Sequence, residues 1–157
     1  MKYKMILIAL AAALIQFFTV LLGASPVKGA DETGSVVVHV TGLKNDKGDV
    51  RFAIYNSSDS YLADKGGGCD HAYKKDKVEI KNAESTCRFS DLPFGSYGVK
   101  FFHDEDDSGK FYTGMFGLPK VQYGFSNNAR AHLGMPSFDK LQFDLKSHQL
   151  QLELRAQ

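Results

Sequence analysis

The sequence predicts an all-β fold: an antiparallel two-sheet β-sandwich of about seven strands, behind an N-terminal signal helix. Three observations predict it. From residue 35 onward apolar side chains recur with a period of two. Gly-, Asn- and Asp-rich turn signals separate the short apolar runs. No 3.6-residue period follows the first thirty residues, and no repeat or linker divides what remains.

The chain of 157 residues opens "MKYKMILIALAAALIQFFTVLLGASPVKGA". Lysines, an apolar stretch from Met5 to Leu22 and a small-residue exit form the pattern of a secretory signal peptide over residues 1–30. Cleavage is expected after Ala24 or Ala30. The alternative is an uncleaved anchor, because the stretch approaches the roughly 20 residues that span a bilayer. The expectation is an exported protein, periplasmic or secreted, whose sandwich domain occupies residues 35–157. Without Lys2, Lys4 and Lys28, 16 basic residues face 18 acidic ones, a net charge of −2. That balance offers no footprint for nucleic acid, and it leaves membrane contact to the leader if uncleaved.

In chain order, "SVVVHVTGL" and "DVRFAIYN" alternate cleanly, and "KNDKGD" between them predicts a hairpin. "NSSDSYLADKGGGCDHAYKKD" is polar and reads as a long loop. "KVEI" and "STCRFSDL" are short strands. "PFGSYGVKFFHD" is a turn feeding a longer strand with Tyr97, Val99, Phe101 and His103 on one face. "DKLQFDL" and "HQLQLELR" close the chain as strands, with Leu141, Phe143 and Leu145, then Leu150, Leu152 and Leu154, on their apolar faces. Cys69 and Cys87 are the two thiols. In an oxidising compartment an isolated pair is expected to form a disulfide, worth about 3 kcal/mol; the alternative is two free thiols.

Chemistry is concentrated in "FFHDEDDSGK". Asp104, Asp106 and Ser108 stand at alternate positions before Gly109, as oxygen ligands of a Ca²⁺ loop do. Met115 replaces the bidentate Glu that a complete EF-hand needs, and the flanks are strand-like. Acids, Ser and Gly equally compose a solvated turn. The domain is therefore expected to hold no cofactor, with a weak Ca²⁺ site at Asp104, Asp106 and Ser108 as the alternative. His103 shares its face with Phe101 and reads as a hydrogen-bonded boundary histidine. His39, His71, His132 and His148 show no mutual ligand spacing, and Ser126 is not in a nucleophile elbow. A non-catalytic module is expected; a hydrolase-type enzyme is the alternative, needing His103 and a carboxylate to converge on a cleft. The long segment Gly114–Lys140 carries Phe116, Tyr123 and Phe125, which either stack on a partner or roof the sandwich. His103, Tyr123, Phe125, Asn127 and Asn128 are the expected binding surface, and an envelope protein or a glycan the expected partner.

The order "VTGL", "GDVRFAIYN", "FSDLPFGSYGVKFFHDEDDSGK", "GLPKVQYGFSNNA" and "PSFDKLQFDL" resembles the exported bacterial proteins of domain-of-unknown-function family 2141. The resemblance runs from about Ser35 to the C-terminus. It implies a sandwich similar to transthyretin-like or carboxypeptidase-regulatory domains, and it carries no catalytic residues. The chain departs from the family's pattern at Tyr112, Thr113 and Gly114, and at Val121. Both departures remove oxygen ligands from the acidic-loop region. A purely structural role for the motif would have His103, Asp104 and Asn127 or Asn128 hydrogen-bonding one another to pin the long loop.

Overall fold

The computed structural model describes residues 32–131 and 134–157. The leader expected over residues 1–30 and His132 lie outside the described residues. Eight strands are described: β1 (Thr33–Thr41), β2 (Asp49–Tyr55), β3 (Lys74–Glu79), β4 (Ser85–Pro93), β5 (Gly95–Asp104), β6 (Tyr123–Phe125), β7 (Gln142–Leu145) and β8 (Gln149–Arg155). They form a three-stranded sheet in the order β4-β1-β8 and a five-stranded sheet in the order β3-β2-β5-β6, with β7 also paired to β5. The period-two residues meet between the sheets. Val36, Val38, Val40, Cys87, Phe89 and Leu154 from one sheet pack with Val50, Phe52, Ile54, Val99 and Phe101 from the other. This burial is the main stabilising term.

Two topological expectations are corrected. β1 and β2 are not a hairpin: β1 pairs β4 and β8, while β2 pairs β3 and β5. The turn residues between them carry the chain across from one sheet to the other. Nor is the fold wholly antiparallel, because β1 and β8 run parallel, with Val38 opposite Leu152.

Two short helices correct the all-strand reading. Helix α1 (Ser58–Ala63) starts where Ser57 Oγ accepts the Ser60 N–H at 3.2 Å. Helix α2 (Phe138–Leu141) takes the first half of the run expected as one strand, leaving only Gln142–Leu145 extended. Both are too short to display a helical period. They cover the outer face of the five-stranded sheet, where Ala53, Tyr55, Tyr61, Phe125, Ala129, Phe138 and Leu141 make a second apolar cluster. Gly98 permits this cover: a Cβ there would lie 2.6 Å from the Leu141 side chain and 2.9 Å from that of Phe138. β5 is thus buried on both faces.

The same layering corrects the disulfide. Both cysteines are free. Cys87 points into the core between the sheets, whereas Cys69 packs against the outer cluster. The five-stranded sheet separates them. Burial, with the Asp76 carboxylate nearby, pushes the Cys87 thiol up to about 12.

Candidate functional site

The acidic turn is closed by a guanidinium. Asp104 ends β5 and is 1% exposed. Its Oδ2 accepts Arg51 Nε–H and, at 2.8 Å, the Gly109 N–H; its Oδ1 accepts the Ser108 N–H at 3.1 Å and the Ser108 hydroxyl at 3.3 Å. Arg51 is the residue paired with Phe102 on the neighbouring strand, so the sheet register itself delivers the cation. Its Nη2 also reaches Asp107 at 3.1 Å, and Lys77 bridges Asp107 and Asp49. Ser108 donates to Asp104 rather than facing an open site, while Asp106 accepts the Tyr112 hydroxyl at 3.2 Å. Among the described residues no three His, Cys, Asp or Glu side chains are arranged to hold a metal.

The five residues expected as a binding surface are dispersed. His103 is fully buried, with Nε2 donating to the Lys47 carbonyl at 2.7 Å and Nδ1 without a partner. Phe125 is buried, and Tyr123 is half-buried against it and Phe111. Asn127 donates to the Lys140 and Gln142 carbonyls. Asn128 brackets β8, donating to Glu153 O and accepting from Arg155 N. Asn127 and Asn128 thus tie the long segment to α2, β7 and β8. Each does so with its own partners: His103, Asp104 and the two asparagines do not bond one another. Ser126, fully buried, takes the Val99 N–H on its hydroxyl at 2.9 Å and donates to the Leu141 carbonyl.

A cavity of about 300 Å³ lies elsewhere, on the outer face of the five-stranded sheet. Phe111, Tyr123, Phe125 and Met135 wall it, and Lys100 from β5 forms its floor. Gly67, with φ +101°, brings the loop after α1 so close to Phe111 that a Cβ would lie 2.4 Å from the ring. Lys100 is 3% exposed. Its Nζ donates to the Gly68 carbonyl at 2.6 Å and the Asp64 carbonyl at 3.3 Å, and lies 5.3 Å from the centre of the Tyr55 ring. Two of three ammonium hydrogens are therefore satisfied. Burial lowers the Lys100 pKa, against a smaller opposing influence of Cys69 and Asp64.

Beneath the lysine, Asp64 caps α1 and collects the Tyr55 hydroxyl at 2.9 Å, the His71 N–H at 3.0 Å and His71 Nδ1 at 2.9 Å. Burial pushes this carboxyl upward, but the hydrogen bonds from His71 and Tyr55 outweigh it and hold it below its usual range. A second, polar cleft of about 410 Å³ lies beyond Gly68 and Cys69. Lys75 on its rim pairs with Asp70, so that cleft partly neutralises itself.

A family model described as "Uncharacterized protein conserved in bacteria (DUF2141)" matches residues 38–153. The chain belongs to this family. No curated protein and no solved structure matches it. Within the family's span, the segments that carry the resemblance are the guanidinium-closed turn and the run that pins the long segment. Tyr112, at one departure from the pattern, supplies the hydroxyl that Asp106 accepts.

Sequence reasoning missed Lys100, Asp64 and Phe111. One signal was available for the first: Lys100 interrupts "YGVKFFHD", a strand with large apolar residues on both faces. A lysine there must be either at an edge or buried with partners.

Proposed function

We propose that the chain is an exported, non-catalytic binding protein of the bacterial cell envelope, and that the cavity over Lys100 seats its ligand. The observation that carries this reading is a buried lysine lining an aromatic-walled cavity, its ammonium held by two backbone carbonyls beside the Tyr55 ring. Such a seat suits a small apolar or aromatic body bearing an anionic or carbonyl acceptor. An envelope protein segment or a glycan, the partners expected of such a module, each presents flat apolar surface beside acceptor oxygens. The chain's two sheets are read as a sandwich of the transthyretin-like or carboxypeptidase-regulatory kind, which the family resemblance supports.

Two observations weigh against catalysis. His103 is buried and lines neither cleft. His71 is oriented by Asp64, but among the described residues no Ser, Thr or Cys side chain hydrogen-bonds its ring. The calcium-dependent alternative draws no support from Asp104, whose oxygens already carry four donors.

The test is titration with 8-anilinonaphthalene-1-sulfonate, an aromatic anion of the proposed class. The wild-type chain should bind one equivalent, Thr113→Trp at the cavity wall should block it, and Lys100→Met should weaken it about tenfold, the usual worth of a charge-assisted hydrogen bond. Equal affinity in all three proteins would reject the seat. N-terminal sequencing of the protein recovered from its host's envelope tests export, and an intact Met1 on a cytoplasmic product would reject it.

A further inference from the structure

We propose that the hairpin tip Tyr112–Lys120 docks on the surface of an anionic phospholipid bilayer. The tip concentrates exposed apolar surface as no other part of the described domain does. Phe116 is 92% exposed, Met115 78% and Leu118 56%, with Tyr112 beside them. The remaining large apolar side chains left open, Leu62 and Tyr73, stand outside this tip. Single exposed residues are ordinary, but a contiguous cluster marks a surface that something covers.

The tip is built to hold that cluster outward. Thr113 pairs with Pro119, Gly114 N–H donates to Leu118 O at 2.6 Å, and Lys120 N–H donates to Tyr112 O at 2.8 Å. Phe116 adopts φ 61°, a left-handed conformation that a Cβ-bearing residue resists, and its ring gains no burial in exchange.

Charge decides what covers it. Lys65, Lys110 and Lys120 are exposed, and none forms an ion pair among the described residues. The Lys120 side chain lies over the turn, its Cε 3.0 Å from where a Cβ on Gly114 would stand, and Lys65 shares a cavity wall with Gly117. Between Lys110 and Lys120 the sequence holds no acid. Asp106, which accepts the Tyr112 hydroxyl, stands against these three lysines, and an apolar point with that cationic excess around it matches a layer of fixed negative headgroups above hydrocarbon. A second copy would present the same excess and be repelled by it. Without these three lysines, residues 31–157 hold 13 basic against 18 acidic side chains, a net charge of −5, and are repelled by such a bilayer, so the tip alone sets the orientation.

The chain contains no tryptophan, so Phe116→Trp places a single reporter in the tip. Because the reporter reads the tip itself, the full chain can be used whether or not the leader is present. Mixed with phosphatidylglycerol vesicles, Phe116→Trp should shift its emission to the blue and be quenched by shallow bromolipids, while Tyr73→Trp should do neither. Adding Lys110→Glu and Lys120→Glu should weaken the partitioning about tenfold or more. Unshifted emission at saturating vesicles overturns the proposal in favour of a protein partner. A blue shift that grows with protein concentration without lipid overturns it in favour of a second copy. An equal response to phosphatidylcholine overturns the role assigned to the lysines.

Discussion

Replacing Arg51 with methionine keeps the length of the stem and removes the guanidinium that faces Asp104. Asp104 would then remain as a carboxylate in a site that is 1% exposed. Removing one member of a buried pair typically costs about 3–5 kcal/mol. Two features reduce that figure here. Three donors remain, from Ser108 N, Ser108 Oγ and Gly109 N, and the Arg51 side chain is itself 29% exposed, so water screens part of the pair. The expected loss is about 2–3 kcal/mol. A domain of this size changes its Tm by about 4 °C per kcal/mol, so Arg51→Met should melt about 8–12 °C below wild type. The assay is thermal melting followed by circular dichroism, in EDTA and in excess Ca²⁺. If the guanidinium occupies the place a cation would take, the wild-type Tm is the same in both buffers. A Ca²⁺ site filled a hundredfold above its Kd would add about 2.7 kcal/mol, or about 10 °C. A rise of that order in the wild type, or an Arg51→Met protein that melts within about 2 °C of it, refutes the reasoning.

Two further outcomes are expected. Dithiothreitol should leave the wild-type Tm unchanged, since Cys69 and Cys87 lie on opposite sides of a sheet; a bridged pair would show a drop of about 3 kcal/mol on reduction. His39 sits between Glu153, 2.7 Å from Nδ1, and Glu84, 3.2 Å from Nε2. The hydrogen bond to Glu153 raises its pKa above 6.5, against some burial and with help from Glu84. A folded value above the unfolded one means the stabilisation is fully present below about pH 6.5 and is lost as pH rises through the raised value. Urea midpoints of wild type and His39→Gln should therefore differ more at pH 5.5 than at pH 8.5, and a constant difference would count against the bridge.

The parts legible in the sequence are those where one side chain reports its own environment. Tyr97, Val99, Phe101 and His103 lie inward because alternation along one strand fixes their face. β8 likewise follows its leucines. What escaped depends on partners distant in sequence. Nothing local to β1 states that its second neighbour is parallel β8, and nothing in "VKFF" states that helices and a glycine loop cover Lys100. α1 and α2 escaped because one turn of helix cannot display a period. The disulfide expectation failed because compartment and parity say nothing about which side of a sheet a cysteine faces. In the acidic loop, ligand-like spacing was legible, but the competing cation came from Arg51, 53 positions away.

The placement of β1 has a consequence for biogenesis. This strand leaves the ribosome well before the β8 edge that completes its ladder, since His39 meets Glu153 across 114 positions. Until those last segments arrive, a valine-rich ribbon waits with one side uncovered, a template for association with other nascent chains. A stalled or truncated product lacking Gln149–Arg155 would keep most of its residues and still leave that side of the ribbon without its hydrogen-bonding neighbour.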